Sequence, residues 1–254
     1  MLKTAMESDY QKLCVLCADS AFGSYIVCRA TAYGFDKSFA KIFICENESG
    51  EITGAVSLLD NNAVVVAKEN CNFEELCFFV DSFGFSSILT DSVTAKKCGF
   101  QNFEIKPVLC FEGFGEDFKT DSSPEMKSVY ELFCSSFPDS YSRDKNSYLT
   151  WLSDYTYRKN RGCCRLKAIC DSETVCAAAL TCSECPESAV ISSVACNEKY
   201  RKKGYGKAVT ISLANELRIE NKKVYVISQD DNTTVFYQKI GFKICGEAAY
   251  IERL

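Results

Sequence analysis

The stretch Val194-Ala195-Cys196-Asn197-Glu198-Lys199-Tyr200-Arg201-Lys202-Lys203-Gly204-Tyr205-Gly206-Lys207 joins an apolar, β-branched run to an amphipathic one. Upstream, Ala189 to Cys196 reads as a strand; downstream, Val209, Leu213, Ala214 and Leu217 share one helical face. Between them, two glycines allow a tight turn and a close backbone approach. The first-turn N–H groups of the following helix have no intrahelical acceptor, and the helix dipole adds positive potential. Arg201, Lys202, Lys203 and Lys207 add cationic side chains at the same place. Such a turn suits a phosphate or pyrophosphate; its plainer reading is a solvated basic turn. A Walker loop needs Gly-Lys-Ser/Thr, which is absent, and a dinucleotide fingerprint needs a third small residue where Val209 stands.

Moving downstream, Val224 to Ile227 reads as a short buried strand, with Asn221 ending the helix before it. Asn232-Thr233-Thr234-Val235-Phe236-Tyr237-Gln238-Lys239-Ile240-Gly241-Phe242 then gives a short helix closed by glycine. Upstream, Arg165 to Cys170 and Thr174 to Cys182 read as a hairpin across Asp171-Ser172-Glu173. Helices are expected over Pro124 to Ser136, with Ser123 as N-cap, and over Lys145 to about Lys159. A hairpin-like stretch is expected from Phe242 to the C-terminus.

The glycine-rich turn after a strand, and the Asn232…Tyr237…Gly241-Phe242 string about 25 residues further on, together resemble the two signatures of the GNAT acetyltransferase superfamily. The resemblance covers residues 123–254 well and 1–122 in outline. It implies an α/β fold with a mixed sheet, arranged as a tandem GNAT-like acyl-CoA N-acyltransferase whose second half is intact. It also implies that the strand of Val194, Ala195 and Cys196 splays from its neighbour and offers backbone groups to a pantetheine arm. Backbone groups across Arg201, Lys202, Lys203, Gly204, Tyr205, Gly206 and Lys207 would hold a pyrophosphate. Asn232 would bond the pantetheine or cap its helix. Tyr237 would be the catalytic acid that protonates the departing thiolate; packing on the helix's inner face is its alternative reading. The implied reaction moves an acetyl group, not an aminoacyl group, from the co-substrate acetyl-CoA to a primary amine of a small molecule or peptide. An amine attacks directly, with a backbone N–H near Ala195 on the oxyanion. A non-catalytic acyl-CoA-binding or regulatory module is the competing reading. Glu184, Glu187 and Glu198 lie near the strand, but none is assigned as general base.

A domain boundary is expected near residue 122, giving domains 1–122 and 123–254. Gly113 to Ser123 is rich in Gly, Ser and charge, and the composition changes across it. Residues 1–122 carry 10 basic and 18 acidic groups against 19 and 16 in the remainder, so only the second part is net positive. The first part echoes the second weakly. Helices are expected near Tyr10 to Ala21 and Ser24 to Tyr33, then strands at Lys41 to Cys45, Ile52 to Leu59 and Ala63 to Ala67. A helix near Phe73 to Phe83, a strand near Ser86 to Leu89 and a short helix before Gly99-Phe100 follow. Aligning Gly99-Phe100 with Gly241-Phe242 puts Ala95 where Tyr237 stands and Thr90 where Asn232 stands. After Ala67 the chain reads Lys68-Glu69-Asn70-Cys71-Asn72-Phe73-Glu74-Glu75, without glycine and with three glutamates. This half is therefore expected to bind no acyl-CoA.

Over the whole 254 residues, 47% are hydrophobic and 25% charged, which suits a packed core and excludes disorder. A net charge of −5 gives no whole-chain footprint for nucleic acid. No apolar run approaches membrane-span length, and Met1 to Ala21 carries Glu7, Asp9, Lys12 and Asp19 through its apolar residues, so neither a membrane span nor a signal peptide is expected. There is no histidine, which excludes His-activated nucleophiles and His-ligated metals. Seventeen cysteines, an odd count, suit a reducing cytoplasmic setting rather than a disulfide framework. Cys14/Cys17 and Cys182/Cys185 have thiolate-ligand spacing, yet the first pair reads more simply as small hydrophobes on one helix face, and no metal is expected. Tyr148, Trp151, Tyr155 and Tyr157 form an aromatic segment that either lines an acceptor pocket or packs as core. A monomer or homodimer is expected.

Overall fold

The computed structural model describes residues 2–113, 116, 118–121, 123–172 and 174–252. Phe114, Gly115, Asp117 and Ser122 of the expected linker, and Glu173 of the expected turn, lie outside the described residues. The fold is mixed α/β, and contacts divide it into two units. Unit 1 comprises Met1–Leu109, Ile227–Thr234 and Ile244–Leu254; unit 2 comprises Cys110–Val226 and Val235–Lys243. The division differs from consecutive halves because the last strand pairs within unit 1.

Unit 1 begins with β1 (Leu2–Thr4), α1 (Tyr10–Cys17) and α2 (Ala21–Tyr33). Strands β2 (Ala40–Glu46), β3 (Ile52–Leu59) and β4 (Asn62–Ala67) form an antiparallel meander. Next come α3 (Phe73–Ser82), β5 (Ser87–Asp91), α4 (Ser92–Lys97) and β6 (Glu104–Phe111). The sheet order is β1-β2-β3-β4-β5-β11-β6, where β11 is Phe242–Glu252. Phe43, Val56, Leu58, Val65, Leu76, Val80, Phe85 and Ile88 are buried together as its core. The C-terminal stretch is thus a single strand rather than a hairpin: Ala248 to Glu252 pair antiparallel with Asp91 to Ser87. Its own sequence carries a turn-permissive Gly246, but pairing with β5 wins over local reversal. Strands β1 and β6 were not legible. The first has three residues, and Pro107 interrupts the alternation of the second.

Unit 2 contains α5 (Met126–Ser136), α6 (Lys145–Lys159), β7 (Leu166–Asp171), β8 (Thr174–Glu184), β9 (Ser188–Cys196), α7 (Tyr205–Ile219) and β10 (Lys223–Ile227). The helix α8 (Asp231–Lys239) begins among unit 1 residues and ends among unit 2 residues. Helix α5 starts later than Pro124: Glu125 is the N-cap, its carboxylate accepting the Ser128 N–H at 3.1 Å, so Ser123 does not cap. The sheet order is β10-β9-β8-β7, parallel at β9/β10 and antiparallel elsewhere. Val129, Leu132 and Phe133 of α5 and Tyr155 of α6 are buried with Leu166, Ala168, Ala178, Leu180 and Ala195 of the strands. Side chains alternate along a strand, so the intervening Ala177 and Ala179 face the other side. Helix α7 also packs on β7, β8 and β9, burying Val209, Leu213, Ala214 and Leu217, the stripe expected from the sequence. Asn221, which follows α7, adopts φ +62°, as an asparagine helix stop can.

A buried ion-pair hub braces this unit. Glu184, 1% exposed, bonds both Arg165 and Lys222, the latter at 2.6 Å. Arg165 also reaches Glu216 at 2.8 Å and Glu220 at 2.7 Å.

Candidate active site

Two irregularities in β9 create the site's strand edge. Parallel pairing with β10 runs from Ser188↔Lys223 to Ile191↔Val226 and stops there. Residues Ser192 to Cys196 therefore carry no ladder partner from β10, the splay expected at Val194, Ala195 and Cys196. Across the other edge, Ser192 pairs Leu180 and Ala195 pairs Ala178, so Ser193 and Val194 stand opposite Ala179 alone. This is a β-bulge, and Ser193 takes φ +47° within it. Bulges turn backbone groups out of the regular ladder, here beside the edge that β10 leaves. Nothing in Ile-Ser-Ser-Val-Ala marks the bulge, because no glycine occupies the left-handed position.

After β9, Asn197 accepts the Lys199 N–H at 3.1 Å and opens a 3₁₀ turn over Glu198–Tyr200. The Arg201 N–H still bonds Glu198 O, at 3.3 Å. The next backbone donor with a carbonyl acceptor is Ala208, bonded to Gly204 O at 2.9 Å. Among the described residues the N–H groups from Lys202 to Lys207 have no carbonyl acceptor, and that of Gly206 faces the Cys196 thiol. Lys202 at φ +63° and Gly204 at φ +82° fold the turn into a concave run of donors ahead of α7. Helix α7, fifteen residues long, puts the positive end of its dipole at the same point. A Cβ built on Gly206 would meet only the Phe236 ring, at 3.9 Å. Packing within the chain thus leaves room in front of this backbone, as a bound phosphate group requires.

The cations around the turn are differently engaged. Arg201 pairs loosely with Glu198 at 3.4 Å, both largely exposed, and Lys203 lies over the Tyr200 ring at 4.8 Å. Lys207 sits 6.0 Å from the Phe118 ring centroid. Tyr205 packs beside Tyr200, with centroids 6.2 Å apart. Cys196, Asn197, Lys199 and Arg201 line a cavity of about 750 Å³ together with Leu132 and Ser135 of α5.

Tyr237 is buried, its ring edge-on to Phe236 at 5.2 Å and Phe242 at 5.4 Å. Phe236 is the residue against Gly206, so the Tyr237 segment adjoins the start of α7. Burial alone pushes the Tyr237 phenol well above the usual tyrosine range, with no hydrogen bond contributing. The group stays protonated throughout the neutral range.

Asn232 is exposed on the first turn of α8 and does not cap it. Asp230 does: its carboxylate accepts the Thr233 N–H at 2.7 Å and its carbonyl the Thr234 N–H at 2.9 Å. The Asp230-x-x-Thr233 spacing is that of an N-cap residue and its N3 donor. Ser228 and Thr234, both buried, share a hydroxyl bond of 2.6 Å beneath the same turn.

Of the three glutamates near β9, Glu184 is tied into the ion-pair hub, while Glu187 and Glu198 are exposed. Glu198 lines the same cavity as Cys196 and pairs loosely with Arg201. The aromatic segment is part core and part surface: Tyr155 is buried and stacks on Trp151 at 5.6 Å, while Tyr148 and Trp151 are half-buried around Tyr130. Among the described residues no cluster of His, Cys, Asp or Glu has the makings of a metal site, and no helix is long and apolar enough to cross a membrane. Cys14 is half-buried and Cys17 buried on α1.

Residues 126–242 match the acetyltransferase (GNAT) family and include the splayed strand, the donor turn and Tyr237. The segment is a GNAT domain. Solved structures extend the likeness of fold to the whole chain. A GCN5-related N-acetyltransferase from Sphaerobacter thermophilus superposes with a TM-score of 0.65 at 14% identity, covering 99% of this chain and 95% of that one. A tandem GNAT protein from the clavulanic acid biosynthesis pathway gives 0.64 at 10% identity, with 99% and 98% covered. A GNAT-family acetyltransferase from Colwellia psychrerythraea gives 0.58 at 13% identity over the full length of both chains. No curated protein is similar to the chain in sequence. The fold is therefore that of tandem GNAT proteins, and the match of residues 126–242 to the family supports acyl transfer as the general activity of that segment.

Proposed function

We propose that the protein is an N-acetyltransferase that moves an acetyl group from acetyl-CoA to a primary amine of a small molecule or peptide. The observation that carries the reading is the conjunction in unit 2 of an unpaired β9 edge with the donor turn that follows it. Backbone groups of Val194, Ala195 and Cys196 would pair with the pantetheine arm as an added strand does. The N–H run from Lys202 to Lys207, with Arg201, Lys202, Lys203 and Lys207 around it, would hold the pyrophosphate. Asn232, uncommitted as a cap, is assigned to the pantetheine. Acetyl-CoA supplies an activated thioester carbonyl; the bulge N–H groups near Ala195 would take the oxyanion charge as the amine adds.

Tyr237 is proposed to protonate the departing thiolate. A phenol held neutral by burial retains the proton such a role needs. With Glu184 locked in ion pairs, no protein carboxylate is assigned as base, and the amine's proton is taken to leave through water. The chain's thiols, none in a disulfide, suit a reducing cytoplasm.

A thiol-release assay over an amine library tests this reading. CoA thiol release that depends on one amine class, with a mass gain of one acetyl group on that amine, is expected. Tight acetyl-CoA binding with no turnover on any amine would make the protein a non-catalytic acyl-CoA-binding module instead.

A further inference from the structure

We infer that Tyr141 is a positioning residue for the acyl end of the co-substrate, acting through its hydroxyl bond to Ser193 in the β9 bulge. The inference rests on the acyl-CoA reading of unit 2 given above. Ser193 is the residue that makes the bulge, and its φ of +47° is one that a side-chain-bearing residue adopts at a cost. Something outside the strand has to hold it there, since Ser193 and Val194 together face only Ala179 across the ladder. Tyr141, from the segment between α5 and α6, meets that need. Its hydroxyl lies 2.8 Å from the Ser193 Oγ.

The tyrosine is itself firmly seated. Its N–H bonds Phe137 O at 3.0 Å. Its ring packs against Phe133 at 5.3 Å, Tyr130 at 5.8 Å and Phe137 at 6.2 Å. Tyr130 anchors the same segment from below, donating its hydroxyl to Ser142 O at 2.8 Å. A rigid aromatic wedge therefore ends in one polar atom, and that atom is spent on the bulge. Packing alone would be served equally by phenylalanine; the hydroxyl is needed only if the bulge has to be held in one register. The groups that the bulge re-aims are those nearest Val194 and Ala195. Loss of the bond should thus be felt at the pantetheine and acyl end and not at the pyrophosphate, which the donor turn beyond Arg201 would hold independently.

Calorimetric titration with acetyl-CoA and, separately, with ADP, which carries the pyrophosphate without the pantetheine, separates these ends without knowledge of the acceptor. Tyr141→Phe is expected to weaken acetyl-CoA binding about three- to tenfold, the scale of one hydrogen bond, and to leave ADP binding within about twofold. Ser193→Ala should do the same, and the double variant should be no worse than either alone, because one bond is lost in each case. Melting temperatures identify a variant that fails to fold, and Ser193→Ala then carries the test. Equal weakening of both ligands would mean a merely structural role, and unchanged or additive effects would also overturn the inference. A native protein that binds neither ligand would overturn the acyl-CoA reading itself, a distinguishable result.

Discussion

The β3–β4 segment of unit 1 and the β8–β9 segment of unit 2 begin from the same plan and end with opposite chemistry. In both, an antiparallel pair hands its second strand to a parallel neighbour that stops short: β4 pairs β5 only from Asn62↔Ser87 to Val64↔Leu89. Unit 1 then closes what unit 2 leaves open. The Thr90 hydroxyl donates to Val65 O at 2.9 Å, filling the edge that β5 vacates. The β3–β4 ladder runs from Leu59↔Asn62 to Gly54↔Ala67 without a bulge. The turn after β4 uses its own donors: the Lys68 N–H bonds Thr53 O at 2.8 Å, the Cys71 N–H bonds Lys68 O at 3.1 Å, and Asn72 accepts the Glu75 N–H at 3.1 Å. Glu74 and Glu75 then set negative charge at the start of α3, where the dipole would otherwise attract an anion. A shared fold therefore does not carry the site. On the proposed reading, the bulge, the N–H groups without a carbonyl acceptor and the small residue at the helix start do.

The largest effect expected is from Gly204→Glu combined with Gly206→Glu, which places two carboxylates and two Cβ atoms in the donor turn. Acetyl-CoA affinity should fall at least ~1,000-fold by calorimetry, because like charge and lost backbone access act together. Retained binding would transfer the site elsewhere and erase the contrast between the two turns. Next in size, Tyr237→Phe should lower kcat by about 10²- to 10⁴-fold with little change in acetyl-CoA affinity, where chemistry limits the rate. Burial raises the pKa of Tyr237, so its acidic form persists as pH rises. The kcat profile should accordingly show no alkaline fall near pH ~10, where an ordinary phenol ionises. An unchanged kcat in Tyr237→Phe would contradict the assignment, and an alkaline limb at that pH that vanishes in the variant would contradict the raised pKa instead.

Smaller effects sharpen the comparison further. Glu184→Gln leaves Arg165 and Lys222 short of a buried partner and should cost about 2–3 kcal/mol in denaturant unfolding, with Glu216 and Glu220 limiting the loss. Turnover per folded molecule should persist; its disappearance would make Glu184 part of the chemistry. In unit 1, Thr90→Val removes the donor on Val65 O and should cost about 1 kcal/mol without creating a second binding site. A second site in that variant would mean that the plug alone separates the two units.

Much of this was legible in the sequence because the signals are local. Gly204-Tyr205-Gly206 after an apolar run, and the helical stripe through Leu217, announce a strand–turn–helix by composition alone. The contrast between the turns after Ala67 and after Cys196 is likewise visible in glycines and glutamates. What was not legible depends on partners distant in the chain. The pairing of Ala248–Glu252 with β5 needs a neighbour about 160 residues away, and a local reading could only suggest a hairpin. The bulge at Ser193 is set by what stands across from it, and its residue type gives no hint. The bond from Tyr141 to Ser193 was missed for the same reason. The capping of α8 by Asp230 is a local signal, but Asn232, two residues on, is an equally good N-cap type and carries the family pattern.

The central claim is that only one of the two similar units holds an acyl-CoA, and the stoichiometry of acetyl-CoA binding to the native chain measures it. Calorimetric titration should give one site per chain. Two sites per chain, or none, would contradict the account.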